Sequence, residues 1–281
     1  KDGVTMLCAS AIRHMLPLKK TYWYVPYGPV IAGAAHDKEK PICFFTEQFA
    51  RVAGEEAIFL KIEPEEMGVQ EVLAERGVRS AGAQPQETTI VDCALSEEEM
   101  LSRMKPKTRY NIKVAQRHGV KIISPDDQTQ LDPEIFLSLL SLTATRHRFR
   151  THTARYYRLM LESLLPQGAS VVDHACAARL FYAQYGGEVT ACALVMFFGK
   201  RATYLHGASN DVQKNVMAPY VLHWEIMKYA QKAGFLEYDM WGVATEGSSE
   251  ETKRKWGGFS RFKLGFGGAV AHRPGAYDFP L

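Results

Sequence analysis

Apolar positions along the chain fall into two kinds of run, short β-tolerant stretches and longer ones with helical spacing, and the two alternate. Val4–Ile12 and Tyr22–Val25 read as strands, separated by the break at Lys19-Lys20. Pro26-Tyr27-Gly28-Pro29 then imposes a rigid turn, because both prolines fix φ and Gly28 tolerates angles that other residues avoid. Ile58–Ile62 predicts a strand, Pro64 to Arg76 a helix stopped by Gly77, and Thr88–Val91 a further strand. Ser96-Glu97-Glu98-Glu99 has the spacing of a capping box, in which the Ser96 hydroxyl accepts from the Glu99 amide while Glu99 reaches back. The helix it starts ends near Pro106, which opens a second helix reaching to Gly119.

Asp132-Pro133 predicts another helix start, running to about His147 and ending in the basic cluster Arg146, Arg148 and Arg150. A helix from Thr153 to Leu165 is stopped by Pro166. Ala177–Gln184, Val189–Phe198 and Ala202–Leu205 follow as strands, joined by the turns Tyr185-Gly186-Gly187 and Gly199-Lys200, which makes an antiparallel meander. Beyond a loop at His206–Asn215, a helix spans Ala218 to Ala233, with Leu222, Ile226, Tyr229, Ala230 and Ala233 on one face and Glu225, Lys228, Gln231 and Lys232 opposite. Gly234 caps it and Phe235–Trp241 is the next strand. Two helices, three antiparallel strands, a helix and a strand, in that order, resemble the core of an N-acetyltransferase-like (GNAT) fold, although many α+β folds share the order.

Composition narrows the class. The chain has 281 residues, 46% of them hydrophobic and 23% charged, which is ordinary for a globular protein and excludes a disordered or collagenous one. The longest uncharged apolar run, Cys192–Phe198, is strand-sized, far short of the roughly 18–20 residues of a spanning helix. No secretion leader is visible, and the abrupt start at Lys1-Asp2-Gly3 leads to the expectation that residues are missing upstream. Five cysteines without a C-x-x-C pair are expected to be buried free thiols of a reducing compartment, and the nine histidines show no metal-ligand spacing. A net charge of +3, 34 basic against 31 acidic residues, implies no nucleic-acid partner by itself. Local placement says more. Lys105, Arg109, Lys113 and Arg117 recur every fourth residue on one helix, with Lys107 beside them; such a line is self-repelling and suits an anionic partner better than a merely solvated face.

The last 80 or so residues carry a series of distinctive motifs. They are Tyr204-Leu205-His206-Gly207-Ala208-Ser209, Asn215-Val216-Met217-Ala218-Pro219-Tyr220, Trp224-Glu225, Tyr238-Asp239-Met240-Trp241-Gly242-Val243, Trp256-Gly257-Gly258-Phe259, Arg261 to Gly268 and Gly275-Ala276-Tyr277-Asp278. This series resembles the Fem family of peptidoglycan-bridge peptidyltransferases. Tyr27-Gly28-Pro29-Val30, Lys107-Thr108-Arg109-Tyr110-Asn111-Ile112, and Thr143 to Phe149 with Tyr156-Tyr157 agree with it, so the likeness spans nearly the whole chain.

The resemblance implies an α+β protein of two GNAT-like domains, mostly antiparallel sheets flanked by helices. They are expected at residues 1–131 and 132–264, with the tail 265–281 crossing back to complete the first. No long heptad pattern is present, so the compact type without a coiled-coil arm is implied. The implied reaction moves an amino acid from aminoacyl-tRNA to an amine on the stem peptide of UDP-N-acetylmuramyl-peptide or lipid II. It needs no cofactor, metal or ATP, and no DNA partner is implied. A cytoplasmic site follows, with transient contact at the inner membrane surface as an option. Two departures stand out: the family's aromatic-Gln-Ser-x-x-Trp opening is absent, and its acidic-glycine pair after the second-domain arginine is His147-Arg148 here, which bears on substrate selection.

Aminolysis of an ester requires a neutral amine, a stabilised oxyanion and a protonated leaving hydroxyl, and a fixed cation in a water-poor site serves the second need. Lys263 matches the family's essential lysine and is the candidate; on residues alone it reads as an ordinary strand-edge lysine. Asp239 is a candidate for taking the amine's proton, against a structural strand-end carboxylate. Tyr204 and Trp241 are candidates for lining the peptide channel, against core packing. Asn215 lies where GNAT proteins bind pyrophosphate. Arg261, Phe262, Tyr27 and Arg146 complete the substrate-binding expectation, and Lys105, Lys107, Arg109, Lys113 and Arg117 the tRNA- or phosphate-binding one. Gly265-Phe266-Gly267-Gly268 is not a nucleotide fingerprint, because it opens no helix after a strand. The alternatives are the same reaction extending a peptide antibiotic and a non-catalytic wall-precursor binder. An acyl-CoA GNAT is disfavoured, since no pyrophosphate loop precedes Ala218.

Overall fold

The structure, a computed structural model, describes residues 7–32, 38–125, 132–147, 151–164 and 176–281. Arg148, Arg150 and the first residues of the expected Val4–Ile12 strand lie outside them. By contacts the chain divides into two compact units, Lys1–Glu87 with Ala271–Leu281, and Thr88–Val270. The division into GNAT-like domains at 131/132 is a separate proposal about repeated fold units.

The first unit contains β1 (Leu7–Cys8), β2 (Ile12–Met15), β3 (Thr21–Pro26), β4 (Val30–Ile31), α1 (Glu39–Val52), β5 (Ala57–Glu63), α2 (Gln70–Arg76) and β6 (Val78–Ser80). The last strand of the chain, Ala276–Pro280, inserts between β5 and β6 and pairs with both in antiparallel fashion, while β3 and β5 run parallel. Val25, Leu60 and Ile62 form its core with Ile42 of α1 and Leu73 of α2.

The second unit follows with β7 (Glu87–Asp92), α3 (Glu97–Arg103), α4 (Pro106–Arg117), β8 (Lys121–Ile123), α5 (Pro133–His147), α6 (Ala154–Leu164), β9 (Cys176–Tyr185), β10 (Glu188–Phe198), β11 (Arg201–Ser209), α7 (Ala218–Lys232), β12 (Glu237–Gly242), α8 (Glu250–Lys263) and β13 (Ala269–His272). The closing strand is therefore β14. The sheet order is β13-β7-β12-β11-β10-β9-β8. Its two-residue alternation sorts the core: Phe181, Ala183, Ala193, Val195 and Phe197 face the cluster that includes Leu222, Ile226 and Ala230 of α7. Leu180, Tyr182, Cys192 and Leu194 point the other way, to Phe136 of α5 and Tyr157 and Leu161 of α6. The protein is an α+β fold of mixed, mainly antiparallel sheets flanked by helices.

The capping box forms as expected, with Glu99 N–H donating to Ser96 Oγ at 3.2 Å and Ser96 N–H donating to Glu99 Oε2 at 2.9 Å. Ser96→Ala is expected to cost about 1 kcal/mol in denaturant unfolding; an unchanged midpoint would show that the exposed cap is dispensable.

Several elements differ from expectation. The first strand is split into β1 and β2, with 9–11 between them. The helix expected from Pro64 starts only at Gln70, because Gly68 turns the chain at φ +89°. The loop expected from His206 is still β11, held by Ala191↔Ser209 and Cys192↔Ala208 pairing with β10. Helices α1 and α8 were not expected at all, and Lys263 is the last residue of α8 rather than a strand-edge lysine. All five cysteines are free; Cys93 and Cys192 are buried, and Cys8 is exposed.

Candidate active site

Parallel strands β11 and β12 pair only from Arg201↔Glu237 to Thr203↔Asp239, and beyond that point they separate. Two local irregularities accompany the divergence. On β11 a bulge at Leu205 lies between the Val195↔Tyr204 and Leu194↔His206 pairs. On β12 the register breaks between Asp239 and Gly242, and Trp241 takes a left-handed φ of +66°. Asp239, 1% exposed, fixes this bend, its Oδ1 accepting from Trp241 N–H at 2.7 Å and from the Thr88 hydroxyl.

Lys263 reaches between the parted strands from the end of α8. Its Nζ donates to the Gly242 carbonyl at 2.9 Å and lies over the Tyr204 ring, 5.6 Å from the centroid. Burial drives its pKa down to about 8, with the Asp239 carboxylate pulling the other way. Beneath it the buried His223 is held below its usual range, at about 3, by burial and by the Lys263 charge, so it stays neutral and its Nδ1 sits 2.7 Å from the Tyr238 hydroxyl. Burial raises the Tyr204 hydroxyl well above a free tyrosine, so it too is uncharged at neutral pH. The close approach of Gly207 makes room for that hydroxyl: a Cβ there would lie 1.9 Å from Tyr204 Oη.

Lys263 and Tyr204 line one cavity of about 280 Å³ with Tyr157, His152, His206 and Phe259. His206 is depressed to about 4 by burial, with His152 adding to the effect. The cavity therefore presents the Lys263 ammonium among aromatic and imidazole rings, with no carboxylate among its described lining residues. His206, His152, Tyr157 and Phe259 escaped the sequence reading. The proximity of His206 to Tyr204 along β11 was the available signal, obscured because Leu205 bulges out of register.

The other candidates are distributed differently. Asp239 stands behind Lys263 and does not line the cavity, and neither does Trp241. Phe262 packs in the aromatic cluster, its centroid 5.0 Å from Tyr220 and 5.4 Å from His223. Arg261 is exposed. Arg146 pairs with Asp211 at 2.7 Å and donates to the Ser209 carbonyl at 3.0 Å, and Asn215 is exposed on the turn before α7. Tyr27 belongs to the first unit, donating to Gln84 Oε1 at 3.2 Å beneath the Arg273 guanidinium. Of the basic line, Arg109 folds back to donate to the carbonyls of Leu101, Ser102 and Met104 at the end of α3. Lys105, Lys107, Lys113 and Arg117 remain exposed.

The fold and the sequence have relatives among known proteins. The crystal structure of FemX superposes with a TM-score of 0.80 at 17% identity, covering 100% of this chain and 86% of that one. A tandem GNAT protein from the clavulanic acid biosynthesis pathway gives a TM-score of 0.55 at 9% identity, covering 100% of this chain and 80% of that one, and places the fold among tandem GNAT-like proteins. In sequence, the UDP-N-acetylmuramoylpentapeptide-lysine N(6)-alanyltransferase of Weissella viridescens is 23% identical over 89% of this chain and 74% of its own length. The lipid II:glycine glycyltransferase of Staphylococcus epidermidis is 20% identical over 77% of this chain, which spans only 63% of that relative. Residues 76–172 and 164–281, well over half of the sequence, match the FemAB family, and the chain belongs to it.

Proposed function

We propose that the protein is an aminoacyltransferase that moves an amino acid from aminoacyl-tRNA to an amine of a peptidoglycan precursor's stem peptide, on UDP-N-acetylmuramyl-peptide or lipid II. The observation that carries this reading is the Lys263 ammonium, desolvated at the parting of β11 and β12 and facing a cavity with no carboxylate among its described lining residues. The named aminoacyltransferases in sequence support the reaction class.

The acceptor nitrogen attacks the ester carbonyl carbon, forming the C–N bond and pushing electrons onto the carbonyl oxygen. Lys263 stabilises that oxyanion, an effect largest where water is excluded. Collapse breaks the C–O bond, the ribose oxygen leaves and gains a proton, and the new amide nitrogen loses one. Asp239, whose Oδ1 already accepts two hydrogen bonds, fits a counter-charge for Lys263 better than a base reaching the acceptor. Tyr204, with Tyr157, His152 and His206, shapes the cavity around the reacting ester. No helix among the described residues is long and apolar enough to cross a membrane, and the reading, through its aminoacyl-tRNA substrate, assigns the protein to the cytoplasmic side.

The test is a transfer assay with pooled radiolabelled aminoacyl-tRNAs and either soluble UDP-N-acetylmuramyl-pentapeptide or lipid II. Label is expected on the precursor, only when tRNA is acylated. Label that stays on tRNA with both precursors would overturn the acceptor.

A further inference from the structure

The outer face of α4 combines charge with an aromatic surface in a way the helix's own packing does not require. Its inner face, Thr108, Asn111, Ile112 and Ala115, is buried. Lys107, Tyr110, Lys113 and Arg117 follow at intervals of three and four, so they form one outward stripe. Tyr110 is 61% exposed, and the Arg117 guanidinium lies 5.9 Å from its ring centroid. Tyr110, Lys113, Gln116 and Arg117 line a shallow hollow of about 640 Å³. No acidic residue occurs in α4, and none of these cations is ion-paired among the described residues. The same helix is tied to the active site: Lys105 N–H donates at 2.9 Å to the carbonyl of Gly265, two residues beyond Lys263.

We infer that this face is an RNA-binding platform on which Tyr110 stacks an unpaired base or nucleoside of the tRNA while Lys107, Lys113 and Arg117 hold the flanking phosphates. The inference rests on the aminoacyl-tRNA reading and gives it a location. An exposed aromatic ring amid cations that meet no carboxylate among the described residues, with Arg117 Nε donating to the Lys113 carbonyl at 3.3 Å, suits single-stranded nucleic acid, because every base has a face to stack and every linkage a charge. A purely phosphate-binding surface would have no use for the ring. Arg109, turned inward, takes no part.

Stacking and charge separate in a salt titration. Binding of unacylated tRNA, and of a hairpin with a single-stranded 3′ end, would be followed by fluorescence anisotropy. Tyr110→Ala is expected to weaken both about five- to a hundredfold with the salt slope unchanged. Tyr110→Trp should bind like the wild type. Lys113→Ala and Arg117→Ala should each reduce the slope by about 0.7. Equal affinity of wild type and Tyr110→Ala overturns the platform, as does a loss seen only on anionic phosphatidylglycerol vesicles. If the wild type transfers label while every α4 variant keeps its RNA affinity, the platform is wrong and the reaction stands. If the wild type neither binds tRNA nor transfers label, the reaction falls and the platform with it.

Discussion

Lys263→Met is expected to lower aminoacyl transfer about a hundred- to a thousandfold, the usual loss when one preorganised oxyanion-stabilising group is removed. The fold should survive, because methionine has similar reach and the substitution removes a charge from a desolvated position. It leaves the Gly242 carbonyl without its donor, a cost of about 1 kcal/mol. The pH dependence identifies the cause. The lysine pKa falls from 10.5 to about 8 on folding, so between those values the unfolded chain binds the extra proton and this residue's contribution to stability rises with pH. Below about pH 8 the folded protein carries the charge at its full desolvation cost, so any stability advantage of Lys263→Met is greatest there and shrinks toward pH 10.5. Transfer should run the opposite way, with a basic limb near pH 8 as the ammonium is lost, opposed by deprotonation of the acceptor. Arginine remains charged throughout, so whatever transfer Lys263→Arg retains should lack that limb. Wild-type rates that climb smoothly through pH 9, or a methionine variant with full activity, would remove Lys263 from the chemistry.

Elements with explicit punctuation were legible in the sequence. Ser96 with Glu99 located the start of α3, and Gly186-Gly187 and Gly199-Lys200 located the hairpins of the meander. Where punctuation was missing or misleading, the reading failed. Helix α1 has Lys38 at its N-cap with no capping side chain, so nothing announced it. In α8, Ser249 caps Thr252 and two glutamates fill the first turn, yet Gly257-Gly258 in mid-helix reads as a loop at about 1 kcal/mol per glycine against alanine. That missed helix is what delivers Lys263. The lysine was found by resemblance, whereas its environment depends on the parting of β11 from β12 and on α8 crossing to the gap. His206 and Tyr157 join the cavity from different elements, a juxtaposition that no local pattern encodes.

The turn after Lys263 is where backbone sterics have the most leverage, and Gly267→Ala is expected to be the most destabilising exchange in that turn. Gly267 sits at φ +78°, where an alanine costs about 1–2 kcal/mol before any contact is counted. Its Cβ would lie 2.4 Å from the Arg103 carbonyl oxygen and 3.0 Å from the Met104 nitrogen, backbone atoms that no rotamer change can move aside. The neighbours are similarly confined, with a Cβ on Gly265 falling 2.4 Å from Thr108 Oγ1 and one on Gly268 falling 2.6 Å from Thr89 Oγ1. Gly265-Phe266-Gly267-Gly268 thus clamps the end of α8 against the start of α4 and against β7. Strain and displacement together should cost about 2–4 kcal/mol, lowering the melting temperature by several degrees. Transfer should fall with it, since any shift of the clamp moves α8 and the Lys263 amine relative to Gly242. Gly258→Ala is the matched control: its Cβ meets nothing within 4 Å on a helical backbone, so it should stabilise by about 0.5–1 kcal/mol. Opposite signs for two glycine-to-alanine exchanges nine positions apart would separate steric confinement from generic glycine flexibility. Equal stabilisation by both would mean that the clamp yields, and that Lys263 is held by its own hydrogen bond to Gly242 rather than by the turn that follows it.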